Sequence, residues 1–254
     1  RRDIIAAMET NDLIRRAEDL AARCEKSGTV THTGFLTPAE RYELENWAKR
    51  SGTALVFAGG STECERTSAF FLPYYMDEES FDASEFIKAM KLTAHFGSPG
   101  HRDYMGALLG MGIGREWLGD IWVQDSTAYV FCMPSVMRHL LSIDKVGRCG
   151  VTAAEIALDE VPVPERKVKN LSFSVMSPRL DAVVGGMFSM SRTEAAKHIS
   201  AGSVSVNYAQ CMKTDLTVHE GDVISLRGAG KGKMTGTGGT SRKGRLFVYA
   251  EVYK

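Results

Sequence analysis

The chain has 254 residues, of which 44% are hydrophobic and 24% charged, the balance of a packed globular protein with room for one large domain or two to three small ones. No apolar run approaches the roughly 20 residues needed to cross a bilayer, which excludes a membrane-spanning helix. Formal net charge is zero, but the average conceals a division. Residues 171–254 hold eleven Lys or Arg against six Asp or Glu, a net +5, and the preceding 170 residues hold twenty against twenty-five, a net −5. A basic end on an acidic body points to polyanion binding by one module. The five cysteines, Cys24, Cys64, Cys132, Cys149 and Cys211, are scattered and form no CxxC pair. That pattern argues for reduced thiols and against a zinc ribbon or a disulfide scaffold.

In chain order, the stretch from Asp3 to Lys26 carries Ile4, Ile5, Met8, Leu13, Ala17, Leu20 and Ala21 near helical spacing and ends before Gly28, predicting one or two amphipathic helices. In "GFLTPAERYELENWAKRSG", Thr37 is a cap, Pro38 the first helical residue and Glu40 the third, predicting a helix that closes at Gly52. "TALVFAGG" reads as a short buried strand. From residue 81 to about 175, strands and helices alternate. "FIKAMKLTAH" is a strand, "RDYMGALLGMG" a helix, "GDIWVQDSTAYVFC" a hairpin, "PSVMRHLLSID" a helix, and "KVGRCGVTAAEI" and "RKVKNLSFSV" are strands. This is a small α+β sandwich with helices on one face of a mostly antiparallel sheet.

The last region opens on "SPRLDAVVGGMF" and continues into "SMSRTEAAKHISAGSVSVN". Ser191 and Glu194 make an S-x-x-E box, so a helix starts at Ser191, buries Ala195 and Ile199, and ends at Gly202. Val204 and Val206 then alternate as a strand. Arg179, Arg192 and Lys197 are left to form one basic surface, and phosphate suits it, because Arg offers a bidentate fork and a helix start offers free amides. A solvated helix face accounts for the same residues equally well. "DVISLRG" and "RLFVYAEVY" read as strands joined by the loop "GAGKGKMTGTGGTSRKG". Its Lys231, Lys233, Arg242 and Lys243, with Arg245 just after it, could follow a phosphate backbone.

The order "RLDAVV", "MSRTEAAKHISAGSVSVN", "VHEGDVISL" resembles the S4-type, or alpha-L, RNA-binding domain over about Ser177 to Arg227. That resemblance implies an RNA face made by Arg179, Ser191, Arg192 and Lys197, with Gly202, Val204, Val206, Asn207, Gly221 and Asp222 shaping the fold. Ala196 and Ser200 stand where many members carry a basic residue. "THTGFLTPAE", "GGSTECERTSAFFLP", "GSPGHRDYMGALLGMGIGREWLGDI" and "RKGRLFVYAEVY" together resemble the YlmH-like family across nearly the whole chain. The resemblance implies an α+β protein in three parts: an N-terminal helical segment (1–80), a central domain similar to an RNA-recognition motif (81–175), and the S4-type domain (176–254). It further implies RNA binding without catalysis, on rRNA or tRNA of the large ribosomal subunit, in ribosome-associated quality control. A bacterial cytoplasmic monomer is expected, or a plastid protein if a chain beginning at Arg1 is a processed organellar form.

Three motifs that suggest enzymes lose their force on inspection. In "HRDYMG" the position five beyond Asp103 is Leu108, not the metal-holding Asn of a kinase loop, so His101 and Arg102 begin a helix and are at most an RNA contact. "RLDAVVGG" resembles a pseudouridine synthase loop, but only a short tail follows where that family has a catalytic domain. Asp181 is then read as a structural partner of a nearby basic group or backbone amide. "GAGKGKMTGTGG" lacks the order of a phosphate-binding loop. No ligand spacing joins the six histidines, so no metal or cofactor is expected. A modifying enzyme related to pseudouridine synthases and a cell-division scaffold remain the alternatives.

Overall fold

The computed structural model describes residues 2–164, 168–241 and 244–253. Helix α1 (Arg2–Ser27) is continuous. After β1 (Thr31–His32), helix α2 (Pro38–Ser51) begins as its sequence requires: the Thr37 hydroxyl accepts from the Glu40 amide at 3.3 Å and the Glu40 carboxylate accepts from the Thr37 amide at 2.7 Å. Gly52, at φ 72°, closes it in the left-handed conformation. Strands β2 (Leu55–Ala58) and β3 (Ser68–Phe71) join β1 in an antiparallel sheet of order β1-β3-β2. The expected N-terminal helical segment therefore carries a sheet of its own.

Next come β4 (Lys88–Ala94), α3 (His101–Gly110), β5 (Leu118–Gln124), β6 (Thr127–Cys132), α4 (Pro134–Leu140), β7 (Lys145–Val146) and β8 (Cys149–Ile156). They build an antiparallel sheet of order β5-β6-β4-β8-β7. Strand alternation explains its two faces. Met90, Leu92 and Val130 point to Tyr104 and Leu108 of α3 and Leu140 of α4, all buried. Ala89 and Phe131, one residue out of phase, pack with Phe35 and Phe70 from the N-terminal part. Each fully buried side chain of this size contributes about 1.5–3 kcal/mol relative to exposure, so the first two predicted segments share one core. They form one compact unit, Arg1–Pro164, and Glu165–Lys254 forms a second.

The second unit holds β9 (Val168–Val175), α5 (Leu180–Met187), α6 (Arg192–Ser200), β10 (Val204–Val206), β11 (Ala209–Gln210), β12 (Val223–Leu226), β13 (Gly230–Thr240) and β14 (Leu246–Tyr253). Its six-stranded sheet runs β11-β10-β12-β13-β14-β9 with every pairing antiparallel. Two expectations are corrected here. Strand β9, assigned by sequence to the central region, pairs along its whole length with β14. The reason is its apolar face: Val175 is buried in the second core, and Phe173 lays its ring so close to α5 that a Cβ on Gly186 would collide with it.

The second correction concerns "GAGKGKMTGTGG". It is not a loop but most of the eleven-residue strand β13, bonded on both sides. Glycine is depleted in strands, so composition hid it. Gly232 is required by close approach, since a Cβ there would lie 2.9 Å from the Glu251 carbonyl and 3.3 Å from the Met187 sulfur. A tight hairpin joins β10 to β11. Asn207 (φ 47°) and Tyr208 (φ 69°) occupy a two-residue turn between the paired Val206 and Ala209, the geometry that matches strand twist.

Candidate nucleic-acid interface

Helix α5 is buried almost throughout, and it carries a carboxylate inward. Among the described residues Asp181 is the one buried residue with a charge. A buried charge is costly unless paired and hydrogen-bonded, and this one is. Arg192, the first residue of α6, donates Nη2–H to Oδ2 at 2.7 Å, and Arg179, the residue that caps α5, donates Nε–H to Oδ1 at 3.4 Å. Burial pushes the Asp181 carboxyl up, but the hydrogen bonds and charges of Arg192 and Arg179 together outweigh it and hold it below the ordinary carboxylate value. The Asp181 side chain is 10% exposed while the Arg192 and Arg179 side chains are 57% and 41% exposed. Each arginine has five N–H donors, so one edge of each is fixed inward and the rest face solvent.

The start of α6 lies beside this pair. The Ser191 hydroxyl accepts from the Glu194 amide at 3.2 Å, which is the serine half of the predicted box. The first amides of α5 are spoken for: Leu180 N–H bonds the Leu216 carbonyl and Asp181 N–H the Thr214 carbonyl. Anion-binding capacity therefore sits at α6 and the two arginines rather than at α5. Gly202 (φ 68°) ends α6, and its carbonyl accepts from the Gln210 side chain. Asp222 accepts from Asn207 Nδ2 at 2.7 Å, while the Val223 amide bonds Asn207 Oδ1. Gly202, Asn207 and Asp222 thus each close a helix end or a turn of the unit.

The three basic residues expected on one surface, Arg179, Arg192 and Lys197, are not all brought together. Arg179, Ser191 and Arg192 come together. Lys197 is exposed on α6 but lies about 140° around the helix from Arg192, given 3.6 residues per turn. Lys231 and Lys233 lie out of phase with Gly232 and Met234, which face the helices, and so occupy the opposite face of the sheet. Arg245 donates Nη2–H to the Ser174 carbonyl at 2.6 Å, clipping β14 to β9. Arg242 and Lys243 lie outside the described residues. His101 and Arg102 are exposed in the first turn of α3, in the other compact unit, where Asp103 accepts from the Gly100 amide at 2.8 Å.

Sequence reasoning missed a row on the central sheet. Trp122, Tyr129, Lys91 and Ala154 are consecutive cross-strand partners over β5, β6, β4 and β8, on the side away from α3 and α4. Only the strand register, invisible in the sequence, brings them together. Trp122 and Tyr129 are half-buried against the core that holds Phe35 and Phe70, and two arginines of that unit are engaged as well. Arg66 donates to the carbonyls of Phe35 and Leu118, and Arg115 to those of Leu118 and Gly119. Burial, aided by the Arg66 charge, takes the Arg115 guanidinium down to about 10. Their donors are used to brace backbone. Among the described residues no group of three His, Cys, Asp or Glu is placed to hold a metal, and no helix is long and apolar enough to cross a membrane.

A family model described as "Putative RNA-binding domain in YlmH" matches residues 78–160. The chain is 29% identical over 223 residues, 87% of each sequence, to the "Ribosome-associated protein quality control protein P2" of Bacillus subtilis (strain 168). The chain is thus similar to YlmH-type proteins, over residues 78–160 by the family model and over most of its length by the Bacillus relative. A solved structure of the "Cell division protein ylmH from Streptococcus pneumoniae" shares the fold over 60% of this chain and 93% of its own, with a TM-score of 0.53 and 21% identity. The matched segment 78–160 contains the Trp122, Tyr129 and Lys91 row as well as His101 and Arg102.

Proposed function

We propose that this YlmH-like protein docks, without performing chemistry, on structured RNA of the large ribosomal subunit, either rRNA or a bound tRNA, through an S4-type C-terminal unit. The observation that carries the proposal is the Asp181 anchor, which holds Arg192 and Arg179 side by side with their outer donors free of the core. Such a pair is suited to phosphate, because guanidiniums fixed at one edge lose little rotamer freedom on binding. Phosphate contacts of this kind position a protein on a folded RNA without reading its sequence. The name of the Bacillus relative supports a place in ribosome-associated quality control, and the family description supports RNA binding in the central region as well. A cytoplasmic monomer fits this role.

A non-catalytic role accords with the state of Asp181. Its carboxylate oxygens are taken up by two arginines, so it is poorly placed to attack or deprotonate a base as a pseudouridine synthase requires. The test is co-sedimentation of purified protein with large subunits at low salt. Wild-type protein is expected in the ribosomal pellet and Arg192→Glu in the supernatant. Equal pelleting of the two, or a base modification in rRNA that depends on the protein, would remove the proposal.

A further inference from the structure

The open face of the C-terminal sheet, opposite α5 and α6, has a composition that helix-face docking does not use. Its register places Ser205, Ser225, Lys231, Tyr253 and Val168 in one row across five strands. The next row is Val223, Lys233, Glu251 and Asn170. One step further along β14, Tyr249 stands opposite Ser172 and is 45% exposed. The Lys231 ammonium lies 5.5 Å from the centre of the Tyr253 ring, within the range of a cation–π contact. Tyr249 has its own cause: its ring passes over bare backbone, since a Cβ on Gly238 would fall 2.7 Å from the phenol oxygen.

From these positions we infer a second RNA site, one that takes unpaired nucleotides by stacking on Tyr249 and on the Tyr253–Lys231 pair while Lys233 meets the phosphates. Aromatic platforms flanked by cations bind single strands in this way, because every base has a π-face and every link a charge. The rise of a strand sets the two tyrosines roughly 13 Å apart along β14, enough for two bases to stack separately. A protein partner fits less well. Val168 and Val223 are the aliphatic residues in these rows, and the rest of the surface is polar. The face is remote from Arg192 by the thickness of the sheet, so the unit can hold folded RNA on one side and a loose strand on the other. This inference rests on the RNA-binding reading above but uses different residues.

The test measures fluorescence anisotropy of a short labelled oligouridylate, and of a labelled RNA duplex of equal length, with the full chain. Tyr249→Ala should weaken oligouridylate binding about tenfold and duplex binding by much less, because a duplex offers no free base faces. Tyr249→Phe should bind as wild type, and Lys233→Glu should weaken the oligomer without depending on any aromatic packing. Unchanged oligouridylate affinity in both Tyr249→Ala and Lys233→Glu would overturn the inference, as would a Tyr249→Phe loss equal to that of Tyr249→Ala. Wild-type protein that pelleted with ribosomes in that case would leave the docking proposal standing. The reverse pair of results would remove docking and keep this site.

Discussion

Arg192 opens α6 and Asp181 is the second residue of α5, and the 2.7 Å bond between them joins the starts of the two helices. The bond links folding to the proposed interface, since the same guanidinium closes a buried charge and faces solvent. Asp181→Asn should therefore cost about 1–2 kcal/mol of stability, a charged hydrogen bond discounted for two half-exposed partners. The sign with pH follows from the lowered carboxyl. A depressed folded value adds stability that is fully present above the ordinary carboxylate value and disappears as pH falls through the lowered one. Urea melts of wild type and Asp181→Asn should differ at neutral pH and converge in strong acid.

Removal of single cations should be legible in the salt dependence of RNA binding. A cation that neutralises one phosphate adds about 1 to the slope of log affinity against log salt, and its removal takes that increment away. Arg192→Gln and Lys197→Gln should each do so if both touch phosphate. Because Lys197 stands well around the helix from Arg192, their effects should add. Filter binding to ribosomal RNA across a salt series reads this directly, and an unaltered slope in Arg192→Gln would remove that residue from the interface.

Phe173 and Gly186 make a sharper stability prediction. Gly186→Ala forces a methyl group into space that the Phe173 ring already fills. Overpacking of this kind costs about 1–3 kcal/mol. Chemical denaturation should show it as a lower midpoint, and Gly186→Ala combined with Phe173→Leu should recover part of the deficit, because the same clash is relieved.

Cysteine reactivity should follow burial. Burial, with a smaller push from Glu155, takes the Cys132 thiol up to about 12, and burial raises Cys24 as well. Neither should react with a thiol reagent in the native protein near pH 8, whereas Cys149 and Cys211 are partly exposed and should label first. Mass spectrometry of partly labelled protein gives the order.

What the sequence disclosed depended on how local the signal was. Thr37, Pro38 and Glu40 specified the start of α2 within four residues, and Ser191 that of α6, because caps act over a single turn. That Asp181 is a structural partner was legible from its place between Arg179 and the start of α6, but only the fold shows that two arginines, and not a backbone amide, take its oxygens. Strand partnership was not. Strand β9 reads like its central neighbours, and nothing local announces a partner as distant as β14. The glycines of β13 hid a strand, and with it the direction of Lys231 and Lys233. The period-two alternation of β13 about Met234 turns those two lysines to the sheet face away from α5 and α6, and so away from Arg179 and Arg192.

The most direct test of docking is a cryo-EM map of the protein on large ribosomal subunits. Docking predicts the outer edges of Arg179 and Arg192 within hydrogen-bond distance of rRNA or tRNA phosphates, with Asp181 still closed behind them. A map in which α6 faces solvent or protein, with RNA touching neither arginine, would contradict it.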